Sequence, residues 1–504
     1  TANLDVVDID GAVDMASTLT VAGNADFNGN LDVDGTTDTD GITNSGNFST
    51  DGGTIKLDGN YPTGTDNVAI GDTALDSVEA GGIANVAIGS KAGTAITTGD
   101  NNIVIGLCAG LKTNTGGQNV GIGSFSFCNN TTGCKNVAIG QSSMKASTTG
   151  DFNVGIGMGS LALHETADGN TAIGACSMAS TTTGASNVAV GFCSLFTNTT
   201  GGSNTSLGVQ SLLDNTTGGN NVALGKCALC DNTTGSQNIG IGVEALSKIT
   251  TAENNVAVGH RALCANTGTA NLAIGYQASK NTTSGNFNIA IGVDSRRDAT
   301  TGSNNVAVGY QTLRESETAS NNTAVGHEVL KVNTTGSENV AVGDLALVAN
   351  TEGHSNVAIG HNSLATNTTA DEHTAVGFCA LNANTSGIRN TAVGRQAMKA
   401  NTTGCCNVGI GSNTLLTGTT GDFNTAVGGA SMMAVVTGNS NTAVGACTLT
   451  CNTSGTLNTA VGICSSCAMT TGQQNASIGG SSLIANTTGS RNTALGMSSL
   501  STNT

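Results

Sequence analysis

The chain has no tryptophan, a single proline (Pro62), 3% aromatic and 10% charged residues in a length of 504. That is too little bulk to fill an ordinary globular core of this size. Only 17 Lys and Arg stand against 34 Asp and Glu, a formal net charge of -17, so the phosphate neutralisation that nucleic-acid binding requires is missing. No apolar run approaches the ~20 residues of a membrane-spanning helix, and no membrane insertion is expected. Six histidines are scattered along the chain. No Ser-His-Asp set or carboxylate pair can be assembled from spacing, and no Gly-x-x-x-x-Gly-Lys loop is present, so no catalysis is expected.

What the sequence has instead is repetition. A phrase of the form Asn-x-Ala-x-Gly occurs 26 times, from Asn67-Val68-Ala69-Ile70-Gly71 to Asn492-Thr493-Ala494-Leu495-Gly496, at a spacing of 17 residues. One longer step, Gly71 to Gly89, is cancelled by one shorter step, Gly259 to Gly275. A unit this short cannot enclose a core alone, so it must stack on its neighbours into one apolar column. Within the unit, a branched apolar residue alternates with a small one, the period of a short strand with two different faces. An Ala-Leu or Ser-Leu stretch follows, then a turn, Asn-Thr-Thr-Gly in its fullest form (130–133, 198–201, 232–235, 486–489). Asn bonds its own main chain in such turns, and Gly is expected to supply a positive φ. Each repeat reads as one coil of an all-β, elongated β-solenoid spanning 67–504. At ~4.8 Å per coil, the rod is on the order of 125 Å long.

The opening Asn occupies 25 of the 26 copies, with His373 the exception. In register, Asn67, Asn85, Asn221, Asn305 and Asn492 belong to one structural ladder in which amide side chains satisfy one another from coil to coil.

Residues 1–53 follow another rule. Gly23, Gly29, Gly35 and Gly41 are spaced by six, with apolar or Thr residues alternating between them. Six residues are too few for a single-chain coil of this width, but three chains could each supply one side of a prism. The segment therefore reads as an acidic, hexad-repeat, triple β-helix-like shaft, with 54–66 as the junction. The pairs Asp32/Asp34 and Asp38/Asp40 admit a divalent cation, although a solvated acidic face accounts for them as well, and no other cofactor is expected.

Together these residues carry a resemblance. Asn-Val-Ala-Ile-Gly with a following Ala-Leu and a Thr-Thr-Gly turn resembles the head repeats of YadA-type trimeric adhesins. The fuller form, Gly-x-x-Ala-Leu-x-x-Asn-Thr-Thr-Gly-x-Asn, is similar to repeats of bacteriophage tail-fibre proteins, which are often followed by an endosialidase-type intramolecular chaperone. The resemblance covers 67–504. It implies a parallel β-roll in a homotrimer, and a structural or adhesive fibre of a virion or cell surface. Its partners would be a host polysaccharide or protein receptor and other virion tail proteins. The coil is longer than in the adhesins, and no membrane-anchor barrel follows. The sequence stops within a turn at Asn503-Thr504, which reads as a piece of a longer or processed chain. A bacterial surface adhesin or extracellular filament subunit is the alternative within this architecture. An ice-binding solenoid, suggested by the stacked Thr-Thr pairs, is the alternative from another class.

Two columns could recognise something. Immediately after the closing Gly, seven of nine consecutive coils carry an aromatic, His or Arg: His260, Tyr276, Tyr310, His327, His361, Phe378 and Arg395, interrupted by Val293 and Asp344. Aromatic faces and planar donors suit a sugar surface, while a variable surface or a chain-to-chain contact would also use this column. Two residues after the Gly, seven coils carry Cys, and Cys176 with Cys193 and Cys447 with Cys464 lie one period apart. One coil spacing falls within the Cα range of a disulfide, so inter-coil staples and free surface thiols both remain open. Cys227/Cys230 and Cys464/Cys467 lack a second pair at zinc-finger spacing, and no metal site is assigned to them.

Overall fold

A computed structural model describes residues 64–503. The hexad shaft, most of the junction, and Asp32, Asp34, Asp38 and Asp40 lie outside the described residues. Those described form a parallel β-solenoid of 26 three-residue strands, from β1 (Val68–Ile70) to β26 (Thr493–Leu495), with no helix among them. Each strand pairs in parallel with the next without slippage. Val222 faces Ile239, which faces Val256, and the short coil is absorbed by pairing Val256 with Leu272.

The strand faces settle where the core lies. Counting from the closing glycine as position 0, the small residue at position 15 (Ala223, Ala257, Ala290) is wholly buried. The branched residues on either side point outward, Leu224 being 41% and Val188 40% exposed. The core is filled from the opposite wall by positions 3 and 4, as in Ala228 and Leu229, which stack under Leu212 and Leu246. Each coil is thin enough that Ala on one wall and Leu on the other close the gap.

Corners demand unusual backbone. The closing glycines have φ near 130° (Gly225, 135°), and a Cβ there would lie 2.6 Å from the carbonyl oxygen of Gly242 in the next coil. Positions 2, 4 and 12 adopt left-handed φ without glycine, as in Cys227 (52°), Leu229 (54°) and Gln237 (60°). This conformation costs roughly 1–2 kcal/mol for an L-residue. Each of these residues has its N–H bonded to an adjacent coil: Cys227 to Val209, Leu229 to Ala245 and Gln237 to Gly219. The turn glycine does not have the positive φ expected of it. At Gly133 the constraint is space, since a Cβ would sit 2.5 Å from Asn130 Oδ1 and 2.6 Å from the Gly150 carbonyl oxygen.

One amide ladder runs the length of the rod, and a second runs along parts of it. At position 13, the Asn238 N–H donates to Asn221 Oδ1 (2.9 Å), while Asn221 Nδ2 donates to the Gly235 carbonyl (2.8 Å). The same pair of bonds recurs at Asn67, which accepts from the Asn85 N–H and donates to Gly82, and at Asn305, which donates to Ala319. At the far end, the Asn492 N–H donates to Asn475. The main partners are thus backbone groups, with amide-to-amide contacts of 3.0–3.2 Å added at many steps. A second ladder, at the turn Asn of position 7, has its own steps. Asn215 donates to Asn198 (2.9 Å) and Asn232 to Asn215 (2.7 Å), and each also bonds the carbonyl three residues on. These bonds satisfy polar groups that burial would otherwise leave costly.

Candidate functional site

The column after the closing glycine emerges at a corner, so its side chains project from the rod at one-coil intervals. His260 and Arg395 are exposed, Tyr276 is 50% exposed, and Tyr310 and Phe378 are half-exposed. Neighbouring rings pair as stacks. His260 and Tyr276 have centroids 5.4 Å apart, Tyr310 and His327 5.5 Å, and His361 and Phe378 5.3 Å, with interplanar angles of 9–11°. These separations are close to the coil spacing, so the rings are turned face to face along the rod. The sequence reading expected flat aromatic faces toward a ligand. In the structure the inner faces of each pair cover one another.

Asp344, which interrupts the aromatic run in the sequence, completes it in space. Its Oδ1 lies 2.8 Å from His327 Nδ1 and its Oδ2 3.4 Å from His361 Nε2. Five consecutive coils therefore read Tyr310, His327, Asp344, His361, Phe378, two stacked pairs joined through one carboxylate. His327 and His361, two coils apart, are linked by a residue that spacing alone had set aside. The column position of Asp344 was the available signal.

The thiol column is less uniform than surface placement predicts. Cys108 and Cys379 are buried, Cys447 is exposed, and Cys176, Cys193, Cys227 and Cys464 are intermediate; all are free thiols in the structure. Burial raises the pKa of Cys193, as does a hydrogen bond with the Cys176 thiol in the adjacent coil. In the Cys227/Cys230 pair, burial and the bond to Cys227 push Cys230 up to about 12. A thiol held protonated is a poor nucleophile and metal ligand. Among the described residues, no three His, Cys, Asp or Glu side chains are placed to share a metal ion.

The first of the two Thr columns of the turns bonds within the rod, while the second (Thr200, Thr217, Thr234) is exposed. Thr199, Thr216 and Thr233 each donate Oγ1 to the backbone carbonyl of the Thr one coil on, at 3.0 Å.

Both buried histidines stand in for ladder asparagines. His373 Nδ1 accepts the Asn390 N–H (3.1 Å), its Nε2 lies 3.1 Å from Asn384 Nδ2, and the ring also bonds the Gly387 backbone. His164, at position 7, places Nε2 2.7 Å from the Ala167 carbonyl, the bond an Asn makes elsewhere. Burial lowers the pKa of both, that of His373 to about 4. The sequence showed His373 as an exception to the ladder; His164 went unnoticed because the second ladder did.

Comparison with protein-family models and with curated proteins finds no match.

Proposed function

We propose that this chain is a structural and adhesive fibre, a homotrimeric rod that presents a contact strip to a host cell surface, as a phage tail fibre does. The observation that carries the reading is the outer face of the sheet. Positions 14 and 16 place Val, Ile, Leu or Thr outward in coil after coil, for example Val222/Leu224, Ile239/Ile241 and Val256/Val258. Two such rows running along 26 coils far exceed the few hundred Å² of contiguous apolar surface that a monomer leaves exposed. The occupant that matches a repeating apolar face of this length, register for register, is the same face of further copies of the chain. Three copies around an axis bury it from all sides.

The strip from His260 to Arg395 is the surface such a rod would offer. Its phenol, imidazole, carboxylate and guanidinium tips suit the hydroxyls of a host polysaccharide or a polar protein receptor. A bacterial surface adhesin would use the same surfaces. The ice-binding alternative would have to use the second Thr of each pair, since the first donates to the next coil's backbone.

Sedimentation velocity combined with equilibrium mass tests the assembly. A highly asymmetric particle of three chain masses is expected, and a monomer would overturn the trimer. Substituting Tyr310→Ala and His327→Ala should leave that mass unchanged while removing adsorption to intact host cells. Unchanged adsorption would move the contact surface elsewhere.

A further inference from the structure

Among the described residues, the core contains one charge that no other described residue neutralises. Arg296 occupies position 4, where the adjacent coils place Ser279 and Leu313, and it is completely buried. Its Nη2 donates to the Gly302 carbonyl at 3.2 Å. Nε and Nη1 have no partner. Burial is the sole influence on its pKa, which falls to about 9; no carboxylate acts on it, and the guanidinium keeps its proton at neutral pH. An unpaired buried ion costs several kcal/mol even after relaxation, so a fold that tolerates it requires a counter-charge.

Around the arginine the second amide ladder is interrupted, as it is at Ser147, Thr181 and Ile249. The second amide ladder has Asn at 266 and again at 333, but the three coils between carry Thr282, Ala299 and Ser316. Ser279 likewise replaces the usual Leu one coil before the arginine. These replacements remove more side-chain atoms than the arginine adds. The Thr282 and Ser316 hydroxyls, in the coils on either side, are buried and also lack partners. Two guanidinium nitrogens and two hydroxyls, all potential donors and all without partners, thus fall in three successive coils of the same ladder.

We propose that the coils from Gly275 to Gly326 enclose one monovalent anion of the halide class, held by Nε and Nη1 of Arg296 and by the hydroxyls of Thr282 and Ser316. A halide accepts from every one of these donors and carries the single charge required. A divalent oxyanion is over-charged for one arginine. Because the position is closed to solvent, the ion is taken up as the coils close and is retained afterwards.

The test uses the full chain, refolded and crystallised with sodium bromide as the sole halide, with diffraction measured at the bromine absorption edge. One anomalous peak per chain is expected, in contact with Nε or Nη1 of Arg296. Arg296→Met, which introduces a residue that this column already uses at Met144, Met178, Met398 and Met432, should abolish the peak. Bromide found only at surface positions, or water alone beside Arg296, would overturn the proposal, and this holds on the unmodified chain whether or not the variant folds.

Discussion

The Nδ1 of His373 accepts the backbone N–H of Asn390 at 3.1 Å, the bond that an asparagine Oδ1 accepts at the other steps of the ladder. Only a neutral imidazole can do this, because a proton on Nδ1 would face the donor N–H directly. Burial holds the His373 pKa at about 4, against an ordinary value of 6.5. Between those values the unfolded coil binds a proton that the folded coil refuses. The stability tied to neutral His373 is therefore complete above about pH 6.5 and lost as pH falls toward 4, an effect of about 3 kcal/mol. Hydrogen exchange at Asn390 should show protection falling over this window after correction for intrinsic rates. His373→Asn should flatten that fall. An equal fall in the variant would mean the acid sensitivity lies elsewhere.

The closing glycines should be irreplaceable, whereas another glycine nearby is dispensable. At Gly225, φ is 135° and a Cβ would meet the Gly242 carbonyl, while at Gly429 nothing lies within 4 Å of the added atom. Gly225→Ala should destabilise its coil by at least ~2 kcal/mol, and Gly429→Ala by less than about 0.5 kcal/mol. Limited proteolysis checks this, with a new cleavage site near 225 expected only in the first variant.

Spacing made the coil legible, because strand, Leu-containing wall and turn each recur at fixed offsets from Gly71 to Gly496. The alternation in Val222-Ala223-Leu224 announced two faces but not which one is buried. That depends on the distance to the Leu229 wall, too short for a second large side chain, and no local pattern encodes it. The first amide ladder could be read from Asn recurrence. The second was hidden because Asn232 also fits an ordinary turn residue. In the candidate strip, the residue types of His260 to Arg395 were legible, but ring orientation was not. Stacking depends on side-chain torsions, and Asp344 bridges two histidines through contacts invisible in a one-dimensional column.

Thiol reactivity should follow burial and not column position. Cys128 is buried, and desolvation, the largest cause, raises its thiol pKa with help from Cys108, whereas Cys447 is exposed. Since the thiolate is the nucleophile, iodoacetamide at neutral pH should alkylate Cys447 well before Cys128, by at least roughly tenfold in rate. Peptide mass spectrometry over a time course reads this directly. Equal rates would mean that the coil around Gly123 opens freely, contrary to the closed backbone ladder there.

The apolar sheet face makes the most direct prediction about assembly. Ile239 stands outward between Val222 and Val256, partly exposed on the isolated chain. A lysine there costs a single coil little, since its stem can lie along the neighbouring branched side chains while the ammonium reaches water. Where copies of this face meet, the same lysine would bring like charges together in a dry interface, and each unpaired buried charge there costs several kcal/mol. Ile239→Lys combined with Ile289→Lys should therefore shift the sedimenting mass toward one chain, with the far-ultraviolet circular dichroism unchanged. Thr234→Lys, on the exposed turn at the other side of the coil, should leave the mass as it was. If the sheet-face variant keeps the parent mass, the copies meet through another surface, and the strip after the closing glycine becomes the next face to charge.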